Sequence, residues 1–125
     1  MVRPSNRKDT LVKYMLQVRF NGADVAIIRL PPDEQQAIFA EFEAIGRMEN
    51  VLDGNQLRPV STATTVRVSN GQPQVSGGPP VDSEATLDGY YVYEAPDLNA
   101  AIGLAARVPA TRWGGSVEVR PVVER

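Results

Sequence analysis

The chain has 125 residues, 42% of them hydrophobic, with 13 basic and 15 acidic side chains and a formal net charge of −2. This is the composition of one globular domain able to bury its own core, and it presents no basic field for a nucleic-acid backbone. Cysteine and histidine are both absent, which excludes disulfides, thiolate nucleophiles and sulfur-ligated zinc, and removes the usual near-neutral acid/base together with the commonest metal ligand.

Residues 1–10 are polar, with Arg3, Arg7 and Lys8, and are expected to form a flexible extension ahead of a single domain over residues 11–125. They lack the apolar core and small-residue cleavage site of a signal peptide. No run of about eighteen apolar residues is present to cross a membrane. The expectation is a soluble, cytoplasmic protein that binds neither membrane nor nucleic acid.

Residues 11–20 alternate, with Val12, Tyr14, Leu16, Val18 and Phe20 on one side and Lys13, Met15, Gln17 and Arg19 on the other. A period of two predicts a strand with one dry face. Asn21-Gly22-Ala23-Asp24 breaks it. After a short apolar run at 25–28, Pro31-Pro32 with Asp33 and Glu34 opens a helix expected to reach about Asn50, with Ile38, Phe42 and Ile45 as its buried stripe and Phe39 beside them.

Asp53-Gly54 ends that helical region, and Gln56-Leu57 is read as a short extended piece. Residues 64–69 are rich in β-branched side chains, and Asn70-Gly71 supplies the positive-φ pair of a tight hairpin that returns through Gln74, Val75 and Ser76. Gly77-Gly78-Pro79-Pro80 cannot continue a central strand, so a loop follows. A strand is predicted at 89–94, with Tyr90, Val92 and Glu94 on one face and Tyr91 and Tyr93 on the other. Asp97 is placed as N-cap of a second helix with Ile102, Ala105 and Ala106 facing inward. Pro109 and Gly114-Gly115 stop it, and residues 116–122 close the chain as a strand.

The order strand, helix, strands, helix, strand predicts an α+β fold, a ferredoxin-like antiparallel sheet with two helices on one face. In that arrangement Tyr14, Leu16, Val18, Val66, Val68, Val117 and Val119 are expected to pack against the helices. Lys13, Met15, Gln17, Thr65, Arg67, Glu118 and Arg120 then share the opposite, mixed face.

Several segments, in order, resemble the YCII-related family of the DGPF type: Lys13-Tyr14-Met15-Leu16, Leu30-Pro31-Pro32, Ala63-Thr64-Thr65-Val66-Arg67-Val68, Leu87-Asp88-Gly89-Tyr90-Tyr91, Glu94-Ala95-Pro96-Asp97-Leu98, Arg107-Val108-Pro109-Ala110 and Gly115-Ser116-Val117-Glu118-Val119-Arg120-Pro121. The resemblance implies a homodimer of the dimeric α/β-barrel kind, two sheets packed face to face, with a cleft between sheet and helices or between subunits. Functions in that family are mostly unassigned; an aromatic-ring dehydrochlorinase is among its relatives, and its genes tend to accompany alternative sigma factors. Ser76-Gly77-Gly78-Pro79-Pro80 is a degenerate form of the family's motif: the motif Asp falls on Gly77 and the motif Phe on Pro80. The following Glu-x-Lys-Glu becomes Asp82-Ser83-Glu84-Ala85. The missing carboxylate and lysine imply altered or lost activity.

Candidate sites follow from the faces and the loop. Arg67 beside Glu118 can line a dimer cavity and hold a ligand carboxylate in bidentate fashion, against the simpler role of a cross-strand ion pair. Asp82, Glu84 or Glu118 can serve as a base, and two loop acids can bind a divalent cation, although no third ligand is visible and no metal or cofactor is expected. Ser76 lacks a base to activate it as a nucleophile, and Gly77-Gly78 lacks the Lys-Ser/Thr of a phosphate loop. Tyr91 and Tyr93 can stack an aromatic ligand. The expected function is therefore a homodimeric small-ligand-binding or regulatory module with weak or no catalysis. Its catalytic candidates are Asp82 and Glu118. Arg67, Met15, Gln17, Ser76, Tyr91 and Tyr93 are placed around a small anionic or aromatic molecule. The alternatives are a lyase- or isomerase-like enzyme and a protein-interaction module.

Overall fold

The computed structural model describes residues 11–81 and 86–125. The expected extension over residues 1–10, and the loop residues Asp82, Ser83, Glu84 and Ala85, lie outside the described residues. The first strand, β1, is Val12–Arg19, and its alternation appears as burial: Tyr14, Leu16 and Val18 are sealed inside. Asn21 and Gly22 adopt φ of 48° and 87° and turn the chain into a short helix, α1, Ala23–Ile28. The sequence reading left this helix as an unassigned apolar run.

Helix α2, Pro32–Gly46, begins where Pro31-Pro32 predicts, with Asp33 and Glu34 in its first turn. Ile38 and Ile45 are buried and Phe42 is partly so, whereas Phe39 stays exposed. The helix ends at Gly46 rather than near Asn50, and Val51 N–H donates to the Met48 carbonyl at 3.0 Å to close the turn into strand β2, Val51–Gln56. Sequence reasoning found only the end of this strand. A register shift between Val51 and Asp53 breaks its alternation, and Gly54 sits where any side chain would strike Tyr91: an added Cβ would lie 2.6 Å from Tyr91 Cδ1. The Asp53-Gly54 pair that reads as a stop is a bulged strand under an aromatic ring.

Strands β3, Thr64–Ser69, and β4, Gln72–Gly77, form the predicted hairpin, closed by Asn70 and Gly71 at φ of 51° and 76°. They pair only with each other and stand apart from the main sheet. This corrects the expectation that Val66 and Val68 pack against the helices: they are 60% and 70% exposed. Val66 faces Val75 and Val68 faces Pro73 across the ladder, so one side of the hairpin is an apolar stripe in the open.

Strand β5, Gly89–Ala95, and helix α3, Leu98–Ala105, follow. Asp97 caps the helix as expected, its Oδ1 accepting from Ala100 N–H at 2.8 Å. The buried stripe is Ala101, Leu104, Ala105 and Val108; Ile102, expected inward, is half exposed, and Ala106 is exposed. An i, i+3, i+4, i+7 stripe starting at 101 leaves 102 beside it. Strand β6, Ser116–Pro121, ends the fold.

The main sheet runs β2-β5-β1-β6, antiparallel throughout. All three helices lie on the face of Leu16, Tyr91 and Val119, where a single core joins Tyr14, Leu16, Val18, Ile45, Val51 and Leu104. The architecture is α+β and ferredoxin-like, with the hairpin inserted between the neighbouring strands β2 and β5. Among the described residues no helix lies on the opposite face of the sheet.

Candidate functional site

The helix side of the sheet does not close completely. A cavity of about 530 Å3 opens between α1, α2 and the ends of β2 and β5, within the size range of small-molecule sites. Its floor is Val18 and Tyr91 on the sheet, its walls Ile27 and Ile28 of α1 with Phe39 and Phe42 of α2. Phe20, just past β1, meets Phe42 edge-on with ring centroids 6.5 Å apart. Ile28 and Phe39 are 69% and 53% exposed, which places them at the mouth.

Two glycines line this volume beside the Tyr91 ring. Gly54 yields to the Tyr91 ring, and at Gly46 an added Cβ would sit 3.8 Å from Tyr91 Cε1. The ring is pinned at its far end: Tyr91 O–H donates to the Phe42 carbonyl at 2.8 Å. Burial pushes the phenol up to about 12, so near neutral pH Tyr91 is a fixed, neutral donor already in use. The charged side chains on the lining are Asp24 of α1 and Glu43 of α2.

The helix-free face is chemically different. Across it, Asn55, Tyr90, Gln17 and Glu118 stand in one row, and Asp53, Val92, Met15 and Arg120 in the next. Tyr90 O–H donates to Asp53 Oδ2 at 3.1 Å and accepts from Asn55 Nδ2 at 3.0 Å. Glu118 lies 2.6 Å from the Arg120 guanidinium and 3.8 Å from that of Arg19, while Arg19 also donates to Gln17 Oε1 at 3.1 Å.

The residues expected at one cleft are thus distributed over three places. Tyr91 lies on the cavity floor, and Tyr93 packs against the core beyond it. Met15, Gln17 and Glu118 share the opposite face of the sheet. Arg67 and Ser76 belong to the hairpin, where Arg67 donates to the Pro80 carbonyl at 2.9 Å. Arg67 and Glu118 are not brought together, because the hairpin never joins the sheet that carries Glu118. Asp82 lies outside the described residues. Among the described residues no group of three or more Asp or Glu stands close enough to hold a metal ion, and no helix is long and apolar enough to cross a membrane.

Sequence reasoning missed the cavity's other walls. Phe20, Phe39 and Phe42 are all the phenylalanines of the chain, and their convergence was the available signal: Phe39 falls off the buried stripe of α2, an apolar ring with no core to enter.

A family model for the YCII-related domain matches residues 12–125. The chain belongs to the YCII-related family. The match begins at β1 and spans every strand and helix, the inserted hairpin included. No curated protein matches the chain. Within this YCII-related chain the helix-side cavity and the helix-free sheet face are the two surfaces with chemistry to offer.

Proposed function

We propose that this protein is a homodimeric small-ligand-binding module with weak or no catalysis, and that the ligand enters the cavity between α1, α2 and the sheet. The observation that carries the reading is a 530 Å3 aromatic-walled volume with Gly46 and Gly54 on its lining. Apolar walls with few polar groups are the usual make-up of small-ligand sites. The Tyr91 hydroxyl, spent on the Phe42 carbonyl, acts as wall and not as acid or base. Glu118, one of the two candidate bases, is on the far side of the sheet in contact with two arginines, which supports binding over turnover.

The test uses Gly46→Leu, since a side chain at 46 grows from a Cβ beside the Tyr91 ring into the open volume. A small aromatic ligand at ten times its Kd stabilises the wild type by about 1.4 kcal/mol, a thermal shift of several degrees. Gly46→Leu is expected to fold with an unchanged circular dichroism spectrum and to lose the shift. A shift that survives in the variant places the ligand elsewhere.

The helix-free face supports the dimer. Its second row runs from an acid, Asp53, on one sheet edge through Val92 and Met15 to a base, Arg120, near the other. A two-fold axis parallel to the strands turns that order round, so that Asp53 of each copy faces Arg120 of the other while the Met15-Val92 patches meet. Met15→Lys, which puts a charge at the centre of that patch, is expected to convert a dimer to a monomer in analytical ultracentrifugation; a wild type that sediments as a monomer refutes the assembly.

A further inference from the structure

We propose that the helix-side cavity takes an aromatic amine, a flat apolar ligand with a protonated nitrogen at the mouth, and rejects aromatic carboxylates. The inference rests on the reading that this cavity is a ligand site, and it names the ligand's charge. Among the described residues the lining carries two formal charges, Asp24 and Glu43, and both are carboxylates; no lysine or arginine lines it. They come from different helices, α1 and α2, and so approach the opening from two sides.

Arg47, which contacts Glu43, does not neutralise the pair. Arg47 approaches Glu43 at 3.5 Å, but both side chains are largely solvated, at 81% and 68% exposure, where such an i, i+4 contact is weak. It caps the C-terminal end of α2 and is not among the lining residues.

The walls favour the same sign. Phe20, Phe39, Phe42 and Tyr91 bring their aromatic side chains to the cavity. Their ring faces carry partial negative charge and attract a cation within about 6 Å of a centroid. An anion would need donors, and the Tyr91 O–H is already engaged on the Phe42 carbonyl at 2.8 Å. A carboxylate here would lose its water, face two like charges and find that donor taken.

The experiment uses three probes of similar shape that differ in charge: 2-phenylethylamine, 2-phenylethanol and phenylacetate. Each is titrated at low ionic strength into the full-length protein, into Asp24→Asn/Glu43→Gln and into Gly46→Leu, with binding read from amide chemical shifts. Two carboxylates at a partly solvated mouth give the amine about a tenfold advantage over the alcohol, with phenylacetate weakest. In the double variant the amine is expected to fall to the affinity of the alcohol while the alcohol is unchanged. Equal binding of all three, tightest binding of phenylacetate, or an amine preference that survives in the double variant overturns the inference and leaves the ligand site standing. Binding of none of the three, or binding undiminished in Gly46→Leu, overturns both.

Discussion

The four-stranded sheet and the β3–β4 hairpin use the same side chains to opposite ends. In β1, Leu16 and Val18 alternate with polar residues and are 0% and 2% exposed; in β3, Val66 and Val68 alternate with polar residues and are 60% and 70% exposed. Alternation makes a residue fit a pleated ribbon, but burial requires a second layer. Three helices cover one face of the main sheet, and among the described residues none covers the hairpin. A pair of polar contacts closes the hairpin on itself at its base: Thr65 O–H to the Gly78 carbonyl at 2.7 Å and the Gly78 N–H to the Ala63 carbonyl, also at 2.7 Å.

The contrast is sharpest at its centre. Leu16→Ala removes a fully enclosed side chain between the helices and the sheet, and is expected to lower the unfolding free energy by about 2–5 kcal/mol in urea titrations. A loss below about 1 kcal/mol would mean that the sheet face is looser than its burial indicates.

Next in size is the floor of the cavity. Below pH 10 the Tyr91 phenol is protonated in both folded and unfolded chains, and the folded state holds its proton until about 12. Between those values the unfolded chain binds fewer protons, so stability falls as pH rises, by on the order of 2 kcal/mol. Tyr91→Phe also gives up the hydrogen bond to Phe42, about 1 kcal/mol at neutral pH. Its deficit against the wild type should therefore shrink between pH 9 and pH 11.5; a constant deficit would show that burial of the hydroxyl is not what holds the proton.

The smallest effect belongs to the hairpin. Val68→Ala is expected to change stability by no more than about 0.5 kcal/mol in dilute protein. A loss above 1 kcal/mol that grows with protein concentration would break the comparison, since it would mean that a second copy covers the Val66-Val68 stripe.

These differences mark how far the sequence could be read. β1, the Asn70-Gly71 turn, the Pro31-Pro32 start of α2 and the Asp97 cap were legible because each depends on a few adjacent residues and on local backbone preferences. β2 was not, because its bulge and Gly54 erase the alternation, and Gly54 is there for a ring thirty-seven positions further on. The placement of the hairpin was likewise invisible, since no local signal states which sheet a strand joins. Of the described candidate residues, Tyr91 is the one that lines the cavity. The rest of the cavity is assembled from a helix of six residues and three phenylalanines whose convergence exists only in the folded chain.

The strand order also sets a schedule for synthesis. β1 is made before the other described strands, yet in the sheet it lies between β5 and β6, which are made after them: Leu16 pairs with Tyr91 on one side and Val119 on the other. Among the described residues β1 pairs with β5 and β6, so Leu16 and Val18 stay unsealed until residues 89–121 have emerged. Such distant pairing folds slowly and leaves an apolar strand open to wrong partners meanwhile. For this protein a nascent chain stalled before residue 116 retains β1 with one side unpaired, and truncation from the C-terminal end removes the closing neighbour of the strand made first.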